Sequence, residues 1–244
     1  MALSDNLQGW WCPSLDTAGN GTLTLTDLSG NGNHGTLTNM DAATDWVADT
    51  DSGGVRALDF NRALSQYVDC GQVIFSGEFT LSAWVSTQSL VIRQMIMAKN
   101  DDPHNEGDAF LYVKDNSTAE FVVFSPNARS IAGPFTTGWH LVTGVNVGGL
   151  IKIYIDGQLI DSGASGLPAN SNDSLWIGAR QYAGFNDYFW GRLDNLGVWD
   201  RALTSDEVSE LYNGGRSLNL LGGASTEDYS AVDHWTNQVF GLGV

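Results

Sequence analysis

Basic residues are scarce in this sequence: 11 Lys and Arg stand against 28 Asp and Glu, a formal charge of −17 at pH 7. A surface of that sign repels nucleic acid phosphates and anionic lipid headgroups, which excludes both as general partners. Cysteine is scarcer still. Cys12 and Cys70 do not make a disulfide framework and read as small core residues. Long apolar runs are missing as well: no stretch approaches the ~18 residues that span a bilayer. Residues 1–8 carry neither the basic start nor the apolar segment of a secretory signal. Proline is rare at 5 residues, whereas glycine reaches 29 and aromatic residues 11%. A disordered acidic chain would be poor in rings, so this one can bury a sizeable core. Its 244 residues suit one large all-β domain or two small ones.

Short runs with a period of two dominate what is there. Residues 79–85 alternate cleanly, with Phe79, Leu81, Ala83 and Val85 on one face. Segments 57–60, 67–69, 95–98, 109–113, 120–124, 139–145, 150–155, 174–177, 189–193 and 196–199 read as further strands between Gly, Pro, Asn and Asp clusters. Asp156-Gly157 suits the positive φ angles of a tight hairpin turn between 151–155 and 158–160. Such a series predicts an antiparallel two-sheet jelly-roll sandwich. One helix is signed: Thr204-Ser205-Asp206-Glu207 is a capping box, Val208, Leu211 and Tyr212 form an apolar stripe, and Asn213-Gly214-Gly215 stops it. A sandwich over residues 1–215 is therefore expected, followed by a C-terminal arm over 216–244. In the arm, Ser225 can cap a helix whose stripe is Tyr229, Val232, Trp235 and Val239, with Leu220, Leu221 and Phe240 as further apolar residues. So short a helix must bury its stripe, against the sandwich or against a neighbouring subunit or lattice, and partner docking is the expectation taken here.

Several motifs stand in a fixed order: Asp27-Leu28-Ser29-Gly30-Asn31-Gly32-Asn33-His34-Gly35, then Ala57-Leu58-Asp59-Phe60 with Tyr67-Val68, then residues 79–85. Trp139-His140-Leu141-Val142 follows and leads to Ile153-Tyr154-Ile155-Asp156-Gly157. The most specific block is Gly191-Arg192-Leu193-Asp194-Asn195-Leu196-Gly197-Val198-Trp199-Asp200-Arg201-Ala202-Leu203. This order resembles the laminin-G-like domains of the concanavalin A lectin/glucanase superfamily. The resemblance implies a concanavalin A-like sandwich over about residues 10–214 and leaves function open, because the superfamily holds lectins, adhesion modules, accessory domains and hydrolases.

Three sites follow. The 27–35 loop concentrates oxygens between glycines and could wrap a Ca²⁺, although it lacks EF-hand spacing. The resemblance implies a structural calcium there, with Asp27, Asn31, Asn33 and Asp194 as contributors, some of them through backbone carbonyls; the alternative is a hydrogen-bonded Gly/Asn turn. No organic cofactor is expected. The acidic run 101–108 reads as a solvated loop. Rings in 182–190 offer a sugar-binding rim, with Tyr182, Phe185 and Tyr188 exposed and Arg180, Asn186 and Asp187 as hydrogen-bonding partners. Trp84, Trp139, Trp176 and Trp199 lie within strand patterns and are expected in the core. Hydrolysis needs paired carboxylates. The superfamily's glucanases place them as Glu-x-Asp-x-x-Glu, and Glu106-Gly107-Asp108 lacks the third member because Leu111 takes its place. No nucleophile elbow, phosphate loop or dinucleotide fingerprint occurs either.

The expected function is accordingly a non-catalytic recognition or structural module. It is either a glycan-binding lectin-like protein or a virion component such as a capsid decoration or fibre protein, attached to a protein lattice or neighbouring subunits, with homo-oligomers allowed. A glycoside hydrolase or polysaccharide lyase is the alternative. Without a signal segment, synthesis in the cytoplasm and later assembly into an extracellular particle is expected.

Overall fold

Short alternating segments become stable only when both edges are paired and an apolar face is covered, and this chain meets both needs by joining distant strands. The computed structural model describes residues 1–49, 54–75, 77–99, 108–124, 128–165, 172–180, 187–214 and 219–220. In chain order the strands are β1 (Leu7–Trp11), β2 (Thr24–Leu25), β3 (Gly35–Thr38), β4 (Trp46–Ala48), β5 (Arg56–Phe60), β6 (Tyr67–Asp69), β7 (Phe79–Thr87) and β8 (Gln94–Lys99). They continue as β9 (Ala109–Lys114), β10 (Thr118–Phe124), β11 (Ala128–Pro134), β12 (His140–Val147), β13 (Leu150–Ile155), β14 (Gln158–Ala164), β15 (Leu175–Ile177) and β16 (Gly191–Trp199). Among the described residues, one sheet runs β14-β13-β12-β7-β16-β5-β4 with β1 also on β16; the other runs β11-β10-β9-β8-β15-β6-β3-β2. The sandwich is the expected one.

The core lies between the sheets. Phe79, Leu81, Ala83 and Val85 of β7 point into it, as their alternation predicts, and meet Ile96, Leu111, Phe121 and Ile177 of the facing sheet. The outer face of the first sheet is covered too. There Trp84, Leu141, Val145, Tyr154 and Trp199 pack under Leu3, Leu7 and Trp10 and under helix α1 (Ser205–Tyr212) through Val208 and Leu211. Buried on both faces, β7 must satisfy its polar side chains internally: Ser82 and Thr143 share a 2.7 Å hydroxyl contact, and Thr80 donates to the Arg201 carbonyl at 2.9 Å. The capping box forms as expected, with Thr204 accepting from the Glu207 N–H and Glu207 accepting from the Thr204 N–H at 2.8 Å. Asp156 and Gly157 both have positive φ, 53° and 75°, in the β13–β14 turn.

Four expectations change. The segments 189–193 and 196–199 belong to a single strand, β16, whose register slips between Asp194 and Gly197; Asn195 takes a left-handed φ of 46° at the slip. This is a bulge, where an Asn tolerates the backbone that most side chains avoid. Strands β1 to β4 and β11 were not anticipated because they are short or weakly alternating. Trp84 and Trp199 are core residues, but Trp139 and Trp176 are half-buried, and Trp176 stacks on Tyr67 with ring centroids 4.3 Å apart. Leu220 is no docking residue: it is buried in the cluster over the first sheet, where its own chain covers it. The remaining arm residues, Leu221, Tyr229, Val232, Trp235, Val239 and Phe240, lie outside the described residues, as do residues 101–107 of the acidic loop.

Candidate functional site

Two segments far apart in sequence build the site. The first leaves β5. Asn61 caps a single 3₁₀ turn, Arg62–Leu64, by accepting from the Ala63 N–H at 3.0 Å, and Ser65 ends it in a left-handed conformation. Gln66 braces the turn from below, accepting from the Asn61 N–H at 2.6 Å and donating to Asp45 at 2.7 Å. The second segment lies between β15 and β16. Gly178 has a φ of 81°, and a Cβ there would sit 2.6 Å from the Phe60 ring, so only glycine allows this approach. Phe189 then turns inward, edge-on to Phe60 at 6.0 Å, and is fully buried. Alternation does the rest. With Phe189 inward, Tyr188 and Trp190 face outward, and Trp190 is 44% exposed.

Between the segments is a cleft of about 410 Å³ lined by Asn61, Arg62, Ala63, Ser65, Tyr188 and Trp190. Its walls are fixed by the backbone. The Trp190 N–H donates to Gln94 Oε1 at 2.9 Å, and the Gln88 N–H donates to the Trp190 carbonyl at 2.9 Å. Arg62 Nη1 donates to the Arg93 carbonyl at 3.3 Å. The Arg93 guanidinium in turn lies over the Tyr112 ring, 5.7 Å from its centroid, on the outer face of the second sheet. Tyr112 donates a short hydrogen bond to Glu120, which also pairs with Lys114 Nζ at 2.8 Å. Burial, and then the bond to Glu120, push the Tyr112 phenol above its ordinary range, so it stays a donor at neutral pH.

Of the residues expected in the sugar site, Tyr188 lines the cleft. Arg180 and Asp187 pair with each other at 2.6 Å, and their side chains are only 9% and 14% exposed; they brace the loop and are not offered to a ligand. The Asp187 carbonyl also accepts from the Met95 N–H at 2.9 Å. Tyr182, Phe185 and Asn186 lie outside the described residues. Trp190, Asn61, Arg62 and Ser65 were missed. The period-two signal around Phe189 could have found Trp190; nothing local ties residues 61–65 to it.

The four residues expected to bind calcium are placed as hydrogen-bond staples. Asp27 accepts three backbone N–H groups, from Trp10 and Ser29 on Oδ1 and from Asn33 on Oδ2, each at 2.9 Å. Asn31 and Asn33 turn their amide nitrogens, not their oxygens, toward β1, donating at 2.7 Å to the Leu7 and Gln8 carbonyls respectively. Asp194 is elsewhere, accepting the Ser14 hydroxyl at 2.9 Å and the Cys12 thiol at 3.7 Å. Among the described residues no three His, Cys, Asp or Glu converge as a metal site. The side chains of these four residues are thus engaged with the chain's own backbone and with Ser14 and Cys12. Both cysteines are buried and unbridged, and burial raises both thiols above their ordinary range.

Comparison with known proteins agrees with this architecture. A family model for the concanavalin A-like lectin/glucanases superfamily matches residues 60–209. The human adhesion G-protein coupled receptor D1 is 37% identical over 108 residues, which are 42% of this chain and 11% of the receptor. Among solved structures, domain 4 of AbnA, a GH43 extracellular arabinanase from Geobacillus stearothermophilus in complex with arabinotriose, superposes with a TM-score of 0.66 at 21% identity, covering 85% of this chain and 98% of that domain. The binding domain of Paraclostridial Mosquitocidal Protein 1 gives 0.65 at 20% identity over 87% of this chain and 53% of that one. The botulinum neurotoxin serotype G binding domain gives 0.61 at 17% over 85% and 50%. The chain thus spans about half of each toxin domain, and these likenesses carry the fold alone. Matched by a family model across most of its sandwich, the chain belongs to the concanavalin A-like lectin/glucanases superfamily.

Proposed function

We propose that this chain is a non-catalytic carbohydrate-binding module whose ligand lies in the cleft between Arg62 and Trp190. The observation that carries the reading is an exposed Trp190 ring set beside Tyr188 and a fixed row of hydrogen-bonding groups, Asn61, Arg62 and Ser65. A sugar presents an apolar face of C–H bonds to stack on a ring and hydroxyls to bond at its rim, and this cleft offers both. Its described lining contains no carboxylate, so the pair that would protonate a leaving group and activate water is missing there. Two structural neighbours support the reading by what their names say of them: one is a toxin's binding domain, and one is an arabinanase domain holding arabinotriose. Attachment to a virion or other lattice gains no support from the arm's described part, since Leu220 is buried against its own sandwich. Titration calorimetry against a panel of oligosaccharides tests the proposal. Affinity for a bound sugar should fall about tenfold in Trp190→Ala, the order of one lost ring contact, with unfolding unchanged. Turnover of any panel member, or equal affinity in the variant, would overturn it.

A further inference from the structure

Only 11 Lys and Arg occur in the chain, yet Arg62, Arg93, Lys114 and Arg180 gather at the cleft and the sheet face beside it. Two of the four are neutralised locally, Arg180 by Asp187 at 2.6 Å and Lys114 by Glu120 at 2.8 Å. Arg62 and Arg93 have no carboxylate partner among the described residues. Arg62 is held by one contact, from Nη1 to the Arg93 carbonyl, which leaves the rest of its planar fork open to the cleft it lines. Arg93 is seated on the Tyr112 ring, and Tyr112 is fixed by Glu120. A chain with 28 acidic residues has thus left two guanidiniums uncompensated beside its most exposed described tryptophan. A half-buried cation held by its neighbours but without a counter-ion is a preformed place for an anion, and a guanidinium meets a carboxylate or sulfate through two parallel hydrogen bonds.

We propose that the cleft selects an acidic sugar, one carrying a single carboxylate or sulfate, with Arg62 as the anion-binding residue and Arg93 as the residue that positions it. The inference rests on the carbohydrate reading of the same cleft. The number of charges follows from two length scales. Within about 10 Å at 0.1 M salt a ligand's charge feels the local guanidiniums; beyond that distance their field is screened. A long polyanion must lay its other charges along a surface with a formal charge of −17, which repels them. The fitting ligand is a neutral oligosaccharide that ends in one uronic acid or one sulfated residue.

The test measures four probes on the whole chain by titration calorimetry: a neutral galactose-terminated trisaccharide, its galacturonate-terminated and 6-sulfated counterparts, and a long polygalacturonate. One of the singly charged probes should bind at least tenfold more tightly than the neutral one and should weaken as salt is raised. In Arg62→Gln that preference should shrink to about twofold, because the charged probe loses far more affinity than the neutral one. Which of the two charged probes binds better identifies the anion. Equal binding of neutral and charged probes, a preference that survives in Arg62→Gln, or tightest binding of the polyanion overturns the inference while leaving the carbohydrate reading intact, provided that Trp190→Ala still weakens the neutral probe. If no probe binds, or Trp190→Ala changes nothing, the carbohydrate reading fails and the acidic-sugar inference falls with it.

Discussion

Lys99 enters the core from β8, with its Nζ donating to the Val73 carbonyl at 2.8 Å and lying 4.4 Å from the centre of the Phe75 ring. It is 1% exposed, and burial lowers its amine from about 10.5 to about 8, although Asp173, Asp200 and Asp108 act in the other direction. The folded state therefore gives up this proton near pH 8 while the unfolded chain keeps it to about pH 10.5. Over that interval the unfolded state binds more protons, so stability rises with pH and is lost as pH falls through 8; the whole effect is about 3 kcal/mol. Urea unfolding of the parent and of Lys99→Met from about pH 8 to about pH 9.5 should show that rise as a difference between the two, because the buried thiols of Cys12 and Cys70, which are raised and act in the opposite sense, are common to both. The variant should be the more stable of the two at neutral pH. Parallel profiles would mean that Lys99 reaches water. Residue identity was legible in the sequence to a similar depth elsewhere. That Tyr188 faces the cleft follows from the alternation through Phe189, and Trp190 obeys the same rule. By contrast, Arg180 and Asp187 look like ligand groups in sequence and prove to be each other's partners, because pairing across a loop depends on a fold that spacing does not reveal.

At the level of elements, strands with strong alternation and a capped helix are readable because the information is local: a period, a cap and a turn residue. Strands β1 to β4 hold few residues, and β16 hides its continuity behind a bulge at Asp194 and Asn195, where one register is exchanged for another. The cleft was half legible for the same reason. Its aromatic wall is a local pattern, whereas Asn61, Arg62 and Ser65 reach it only because β5 lies beside β16 in the sheet. The loop that carries Asp27 shows what local chemistry leaves undecided: a Gly/Asn-rich segment can present oxygens to a metal or carboxylate oxygens to its own backbone. Here the Asp27 carboxylate does the latter, tying Trp10 of β1 to both Ser29 and Asn33. Asp27→Ala should therefore cost on the order of 2–3 kcal/mol, because three N–H groups lose their acceptor at once. The same measurement with a chelator added should leave the parent's melting temperature within about 1 °C, as a ligand that is not bound cannot stabilise by mass action. A chelator-dependent drop of several degrees, absent in Asp27→Asn, would assign a calcium to the loop.

For the molecule as a whole, the layer over the outer face of the first sheet matters as much as the sandwich itself. Leu3, Leu7 and Trp10 from one end of the chain meet Val208, Leu211 and Leu220 from the other over Trp84, Tyr154 and Trp199. Leu220→Ala should lower unfolding stability by about 2 kcal/mol, the smaller end of the range for a buried leucine. A change below about 0.5 kcal/mol would instead make Leu220 a surface residue.

The pairing of β1 with β16 has a consequence in time. Trp199 donates to the Leu3 carbonyl at 2.6 Å across 196 positions, and Trp10 donates to Asn195 at 2.6 Å across 185. β16 is also the strand that joins β7 to β5 in the middle of its sheet. At roughly 5–20 residues per second, a ribosome delivers this central strand many seconds after β7 has emerged. Throughout that interval one edge of β7 has no native strand to pair with, although β12 can already close on the other. The molecule is thus most open to misassembly just before it is complete, and its slowest event on the way to the native state should be the insertion of a late strand between two that have been waiting for it.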